Sequence, residues 1–259
     1  IRKRDIVALL DRIVERGTLK KPCGSMANRV RTLMITMFMF AVQRDILDAS
    51  PCVYLNVPHK EKARERDLAE PEIKAFWRGL DNTGVVDSIK LALKFILITG
   101  QRPGEVASAG WSEIDARKNY WEIPPAKTKN GRPHRVPLSA LALELLREAK
   151  QNSDGSRWLF PSPFSKLGDN QIAKGSLPHA VQKSLSRFGV DHFTPHDLRR
   201  TAATQMAASG TSRLVISKVL NHVESGITAV YDRHSYDSEK KDALDKWGKR
   251  LEKIIKPSN

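Results

Sequence analysis

Hydrophobic positions recur at helical spacing along most of the chain. Near the N-terminus two segments show this pattern, 5–16 and 25–47, and the second contains several methionines that we expect to fill a core. A polar stretch with prolines and many charges follows, so we place a linker near residues 57–66. The pattern predicts a small helical unit at 1–60 and a larger unit at 61–259.

The larger unit is predicted to be mostly helical, with a small antiparallel sheet. Strand-like segments at 119–124 and 134–139 flank a lysine-rich turn that contains Asn130-Gly131. The run at 85–100 is apolar on all sides, which indicates a buried helix that ends at Gly100. The predicted helices of this unit are 69–80, 85–100, 102–110, 139–150, 177–189, 196–210, 212–222 and 238–255.

Composition adds a charge argument to this pattern. The chain has 259 residues, and its 44 Lys and Arg against 29 Asp and Glu give a net charge of +15. Such a surplus suggests a polyanionic partner, with nucleic acid as the first candidate and a generically basic protein as the alternative. Two cysteines are too few for a disulfide framework or a four-cysteine zinc site. We expect a cytoplasmic protein, and a fragment whose N-terminal part is missing, because the sequence opens at Ile1 within a helical pattern.

Two short motifs contain side chains that suit an oxyanion. In "FTPHDLRRTAAT" (193–204), His196 and Arg199 are three residues apart and share one face of a helix. In "TGQRPGEV" (99–106), Arg102 precedes a short helix, and Glu105 is close enough in sequence to orient its guanidinium. The planar guanidinium matches phosphate geometry, although each motif alone is also compatible with an ordinary surface arginine.

Two further motifs contain groups that can transfer protons or attack phosphorus. The lysine-rich segment "AKTKNGRPHR" (126–135) could project an ammonium over a phosphate and protonate a leaving alkoxide. In "LNHVESGITAVYDRHSY" (220–236), Tyr231 follows His222 by nine residues, and a tyrosine can act as a covalent nucleophile. A solvated basic loop and a packing aromatic are the commoner meanings of such features.

The order of these motifs resembles the tyrosine recombinase or phage integrase family, the prophage integrases in particular. The resemblance is strong from about residue 65 to 236. It is looser over residues 1–60, which are similar to part of the helical core-binding domain of that family. One departure is Asn221, where the family often has Gly before the histidine.

The resemblance implies a set of site residues and a reaction. Arg102 and Arg199 would clamp the scissile phosphate, and Glu105 would support the first arginine. His196 and His222 would donate to the phosphate or shuttle protons. The remaining implied residues are Lys127, which would protonate the leaving 5′-oxygen with Lys129 as the alternative, and Tyr231, which would attack to give a 3′-phosphotyrosyl intermediate.

The resemblance also implies partners. These are double-stranded DNA at attachment sites and further copies of the protein in a tetrameric synaptic complex, and host DNA-bending proteins are allowed as accessory partners. No metal or other cofactor is expected, because the arginines supply the positive charge. No membrane is expected either, and the protein would act at the bacterial nucleoid. The apolar stripe of the helix at 238–255 would dock on a neighbouring protomer, with docking on its own domain as the alternative.

Three alternatives stay open at the level of sequence. A type IB-like topoisomerase shares the phosphotyrosine chemistry without exchanging strands between sites. A non-enzymatic DNA-binding regulator could use the helix pair 196–209 and 212–220 as a helix-turn-helix. A metallohydrolase could use His192, His196 and His222, although Pro195 makes a shared helical turn unfavourable and no carboxylate pattern matches a metal site.

Overall fold

A computed structural model of the chain describes residues 1–18, 23–61, 65–153, 155–163, 169–222 and 234–256. The chain forms two compact units, Ile1–Glu65 and Arg66–Asn259. The sequence pattern places the division at residue 60, within the predicted linker. The two units are described separately below.

The first unit is built on two helices, α1 (Lys3–Glu15) and α2 (Gly24–Gln43). Its small core contains Ile6 and Leu10 from α1 together with Phe38 of α2, Cys52 and Leu55. The prediction that the methionines of α2 all fill this core is wrong, because Met37 and Met39 are 50% and 46% exposed. Helix α2 is apolar on several sides, whereas a single neighbouring helix covers only one of them.

The second unit has eight helices and three short strands in the residues that the structure describes. They are α3 (Glu70–Asp81), α4 (Asp87–Thr99), α5 (Pro103–Ala107), β1 (Ile114–Asp115), β2 (Tyr120–Ile123), β3 (His134–Pro137), α6 (Ala140–Gln151), α7 (Ser176–Phe188), α8 (Pro195–Ala208), α9 (Arg213–Val219) and α10 (Asp237–Ile255). Single 3-10 turns occur at Trp111–Glu113 and Pro125–Lys127.

Helix α4 is the central element of this unit. All of its residues except Asp87 and Lys90 are buried, and it packs against α3, α5, α6, α7, α8 and α10. Gly100 ends the helix in the left-handed conformation (φ 67°), as the sequence predicts. Because α4 is buried from every side, the turn that follows it leads from the core toward the site.

The sheet is antiparallel with the order β1-β2-β3. Trp121 of β2 pairs with Val136 of β3, and its ring lies 5.5 Å from that of Phe95 in α4. This contact packs the sheet on the central helix. Strand β1 has two residues and shows no alternation that could reveal it in the sequence. The predicted fold class, mostly α with a small antiparallel sheet, is confirmed.

The prediction for the last helix needs correction. The apolar stripe of α10 is buried against its own unit rather than presented to a neighbour, with Leu244 2% and Leu251 0% exposed. Trp247 donates its indole N–H to the carbonyl oxygen of Leu97 at 2.9 Å, which ties α10 to the central helix. The stripe is buried because α10 packs on several elements of its own unit, namely α3, α4, α6, α8, α9 and β3.

None of the helices in the described ranges has both the length and the hydrophobicity needed to cross a membrane.

Candidate active site at the end of helix α9

The candidate site is organised around the C-terminal end of α9. The carbonyl oxygen of Val219 accepts two hydrogen bonds, from Nε2 of His134 at 3.0 Å and from Nε2 of Gln101 at 2.9 Å. Both donors are buried, and Gln101 is fully so. These bonds join strand β3 and the turn after α4 to the last turn of α9, where carbonyl groups have no partner within the helix.

The next two carbonyls of this helix end hold the two predicted arginines. Arg199 donates to the oxygen of Leu220, and Arg102 donates to the oxygen of Asn221 at 3.0 Å. Arg199 also donates to the oxygen of Gly100 at 2.8 Å. Because these acceptors are adjacent in the chain, the structure brings the two guanidinium groups together. The negative end of the helix dipole favours cations at this position.

Arg199 is a buried cation held by neutral groups. It is 7% exposed, and it forms no ion pair with any residue in the described part of the chain. Burial and the nearby charge of Arg102 lower the pKa of Arg199 to about 10, so it stays charged at neutral pH. A buried guanidinium without a carboxylate partner is a favourable place for an anion.

Arg102 differs from Arg199 in having a carboxylate partner. Its Nη1 lies 2.8 Å from Oε1 of Glu105, and its backbone N–H donates to Oε2 of the same residue at 3.1 Å. Glu105 is 3% exposed. The arrangement follows from local sequence, since Pro103 begins α5 and places Glu105 three residues after Arg102.

Two histidines lie beside the arginines. Nε2 of His222 is 3.2 Å from Nη2 of Arg199. The pKa of His222 is lowered mainly by partial burial, and to a smaller extent by the charges of Arg199 and Arg102. His196 is at the start of α8, where partial burial and then the charges of Arg199 and Arg200 lower its pKa. Both rings are therefore predominantly neutral at pH 7, a state in which a ring nitrogen can accept a proton.

Lys127 ends the 3-10 turn that follows β2. Its ammonium pairs with the carboxylate of Glu113, donates to the carbonyl oxygen of Ser108, and lies 5.1 Å from the ring centre of Trp158. Oε2 of Glu113 accepts from the indole N–H of Trp121 at 3.0 Å. Glu113 therefore bridges the lysine and the strand below it.

A groove of about 620 Å³ brings several of these groups to one surface. Arg102, Lys127, Lys129 and His196 line it, together with Lys174 from the irregular segment before α7. Lys174 is not predictable from the sequence, because that segment shows no periodicity or motif. The position of Lys174 follows from packing, since its side chain lies over Gly104 at the beginning of α5.

The part of the chain that contains these groups is similar to known proteins. The model of the phage integrase family matches residues 67–238, about two thirds of the chain. The chain belongs to the phage integrase family.

Similar proteins include two prophage integrases of Escherichia coli strain K12. IntZ is 28% identical over 259 residues, an alignment that covers 98% of this chain and 61% of IntZ. IntA is 26% identical over 250 residues, which covers 95% of this chain and 58% of IntA. The chain thus spans about three fifths of the length of these curated relatives.

Solved structures of integrases share the fold. A lambda integrase (residues 75–356) dimer bound to a core site matches with a TM-score of 0.69 at 20% identity, covering 86% of this chain and 80% of the other. The Tn1549 transposon integrase in complex with a circular intermediate DNA matches with a TM-score of 0.70 at 14% identity, covering 95% and 85%. At this level of identity the likeness shows the fold alone.

Tyr231 is the predicted nucleophile of this phage integrase family member. It lies outside the residues that the structure describes. The structure describes the residues on either side of it, up to His222 and again from His234. Tyr236 has a left-handed backbone (φ 54°) at the start of α10, and the ammonium of Lys218 lies 4.8 Å from its ring centre. The role of Tyr231 remains a prediction.

The start of helix α8 is contacted by a carboxylate of its own first turn. Backbone N–H groups at a helix start can otherwise bind an anion. The carboxylate of Asp197 instead accepts from the backbone N–H and the hydroxyl of Thr194, both at 2.8 Å, and pairs with Arg200 at 2.7 Å. Asp197 therefore uses the N-cap donors of Thr194 and places a negative charge at this helix start.

The metallohydrolase alternative receives no support from side-chain geometry. His192, His196 and His222 do not form a metal-binding group, and the described part of the chain contains no cluster of three or more His, Cys, Asp or Glu that could hold a metal ion. His222 instead faces the guanidinium of Arg199.

Proposed function

We propose that the protein is a site-specific DNA recombinase of the integrase type. It would cleave and rejoin DNA through a 3′-phosphotyrosyl intermediate, and so integrate or excise a prophage or another mobile element. Membership of the phage integrase family supports the proposal. The structural observation that supports it most strongly is Arg199. This residue is a buried cation beside Arg102, and all of the described hydrogen-bond partners of Arg199 are neutral.

A phosphodiester fits this arrangement better than a smaller anion does. Of the two adjacent guanidiniums only that of Arg102 pairs with a carboxylate, Glu105, so a singly charged phosphate bound between them would balance the local charge. The groove lined by Lys127, Lys129 and Lys174 continues the positive surface beyond that point. Lysines beside a phosphate clamp are suited to the neighbouring phosphates of a nucleic acid backbone.

The proposed cleavage step balances without a metal or redox partner. The phenol oxygen of Tyr231 attacks phosphorus, a new P–O bond forms, and the bond from phosphorus to the 5′-oxygen breaks. Lys127 donates a proton to the departing 5′-oxygen. The phenol proton passes to a neutral histidine, His196 or His222, and the lowered pKa of each ring keeps it uncharged beforehand. Attack by a 5′-hydroxyl on the phosphotyrosine reverses these transfers and rejoins the strand.

Assembly on DNA forms part of the proposal. The structural relatives include a lambda integrase dimer on a core site and a lambda integrase tetramer on a Holliday junction. We propose that this protein likewise binds double-stranded attachment sites and forms a tetrameric synaptic complex there. It would act at the nucleoid of a bacterial cell, with host DNA-bending proteins as accessory partners.

A covalent trapping experiment tests this function. The protein is incubated with a library of nicked DNA duplexes of randomised central sequence, and DNA that remains attached after denaturation is sequenced and its attachment residue mapped. We expect attachment at Tyr231, loss of the adduct in Tyr231→Phe, and its retention in Tyr236→Phe. The Phe replacement keeps the ring, so DNA binding should persist.

Other outcomes of the same experiment support the alternatives. Sequence-selective binding without any adduct would indicate a DNA-binding regulator. An adduct at unrelated sequences, with relaxation of supercoiled DNA and no exchange between paired sites, would indicate a topoisomerase. Attachment at Tyr236 would require the motif alignment to be redrawn.

A further inference from the structure

A long-range side-chain contact joins the lysine-bearing connection to the site. Nδ2 of Asn130, in the connection between β2 and β3, donates to Oδ1 of Asn221 at 2.8 Å. Asn221 is the residue directly before His222, and its carbonyl oxygen is the acceptor for Arg102. Asn221 therefore contacts both the β2–β3 connection and Arg102, and it directly precedes His222 in the chain.

The orientation of the Asn130 amide is determined by a second bond. Its Oδ1 accepts from the backbone N–H of Arg132 at 3.2 Å, so only its NH2 group can face Asn221. The oxygen of the Asn221 amide must then accept, which leaves Nδ2 of Asn221 buried and without a hydrogen-bond partner among the described residues. A buried unpaired donor is unfavourable, so this pairing is maintained at a cost to stability.

The contact between Asn130 and Asn221 is linked to Lys127 through the backbone of the β2–β3 connection. The hydroxyl of Thr128 shares its single proton between the carbonyl oxygens of Pro125 at 3.0 Å and Arg132 at 2.8 Å. These bonds tie the 3-10 turn that ends at Lys127 to the residues around Asn130. Restraining Asn130 therefore restrains the backbone from which Lys127 extends.

The backbone conformation of Asn221 shows what its side chain contributes to the site. Asn221 adopts a left-handed conformation (φ 50°) that glycine would adopt with less strain. A side chain at this position is therefore not needed for the turn. Its contribution is the amide that meets Asn130.

We propose that Asn130 and Asn221 are positioning residues that set the place of Lys127 relative to the arginine pair and His222. The inference rests on the proposed recombinase function, because it assigns the contact a role in proton delivery by Lys127. The contact itself can be tested without that function.

The test uses Asn130→Ala, Asn221→Gly and the double variant, with Asn119→Gly as the matched control. Asn119 also has a left-handed backbone (φ 57°), and it lies in the turn between β1 and β2. Both glycine substitutions therefore have similar backbone effects, and only Asn221→Gly removes the contact. We expect the melting temperatures of the two glycine variants to stay close to that of the wild type.

Cleavage rates should separate the variants. On a nicked site recovered from the trapping library, loss of one hydrogen bond should slow cleavage by about five- to tenfold in Asn130→Ala and in Asn221→Gly. The double variant should be no slower than Asn130→Ala, since that substitution already removes the side-chain contact that Asn221→Gly removes. A substrate with a 5′-bridging sulfur, whose leaving group needs no proton, should restore the rate of all three.

Specific outcomes would overturn the proposal. Wild-type cleavage rates in the asparagine variants would do so, and so would slowed cleavage that sulfur does not restore. Amide hydrogen exchange over residues 125–132 provides the readout that is independent of activity. Exchange should increase in Asn221→Gly and not in Asn119→Gly, and equal exchange in the two would refute the contact. Absence of any adduct in the wild type would count against the recombinase function and leave the exchange result to decide on the contact.

Discussion

Arg199 and Lys127 of the candidate site are held by different chemistry. Arg199 is bound by backbone carbonyls at the ends of α4 and α9, which are neutral and belong to well-packed elements. Lys127 is bound by a carboxylate, Glu113, and lies in an irregular connection between two strands. A guanidinium that donates to carbonyls keeps its net charge for a ligand, whereas a lysine paired with a carboxylate does not.

This difference suits the arginines to phosphate binding and the lysine to proton delivery. The arginine positions are already suited to a phosphate before DNA arrives, because moving them would break buried hydrogen bonds. Lys127 has to exchange Glu113 for the leaving oxygen during the reaction. Loss of the lysine is therefore expected to have the largest effect on cleavage.

The first prediction concerns Lys127→Ala. Loss of a general acid should slow cleavage of ordinary DNA by about 10²- to 10⁴-fold, and a 5′-bridging sulfur should restore the rate. Lys129→Ala is the comparison, since Lys129 lines the same groove without a hydrogen bond or ion pair to any described residue. Its loss should mainly weaken DNA binding, and rescue of that variant by sulfur would reverse the assignment. Single-turnover cleavage of both substrates provides the measurement.

The second prediction concerns Arg199→Lys, which keeps the charge and removes the planar fork. Lysine cannot reach Gly100, Leu220 and the phosphate together, so cleavage should fall by about 10²- to 10³-fold. The neighbouring residue offers a control, because Arg200 is 49% exposed and pairs only with Asp197 among the described residues. Arg200→Lys should change cleavage by less than about threefold. Equal losses in the two variants would mean that the buried carbonyl contacts do not matter.

The third prediction concerns the neutral donor at the same helix end. Burial, followed by the charge of Lys240, lowers the pKa of His134 to about 3. In the unfolded chain the ring takes up a proton below about pH 6.5, while the folded ring stays neutral until about pH 3. The free energy of unfolding should therefore fall as the pH drops through this window, by about 2 kcal/mol between pH 6.5 and 5.

A glutamine variant isolates that effect. His134→Gln keeps an N–H donor for the carbonyl oxygen of Val219 but cannot take up a proton. Urea unfolding of both proteins at pH 7.5 and 5 gives the comparison, and the wild type should lose about 2 kcal/mol more than the variant. Parallel losses would show that His134 is not the source of the pH dependence.

Much of the fold and part of the site follow from sequence because the responsible interactions are local. The burial of α4 and its end at Gly100 are visible as an apolar run followed by glycine. The pairing of Arg102 with Glu105 follows from a proline that begins a helix and a three-residue spacing. Strand β1 was missed because two residues are too short for any period. The direction of the α10 stripe was predicted wrongly because a stripe shows that a helix packs and not what it packs on.

The sequence by itself determined which segments are helices, where several of them begin and end, and which side chains can bind a phosphate. These properties depend on backbone preferences and neighbours within a few residues. Only the tertiary structure decided which groups meet at the end of α9. Arg102 and Asn221 are 119 residues apart, Asn130 and Asn221 are 91 apart, and His134 and Val219 are 85 apart. Such contacts depend on how α4, α8, α9 and the sheet pack together. Local sequence preferences do not determine that packing.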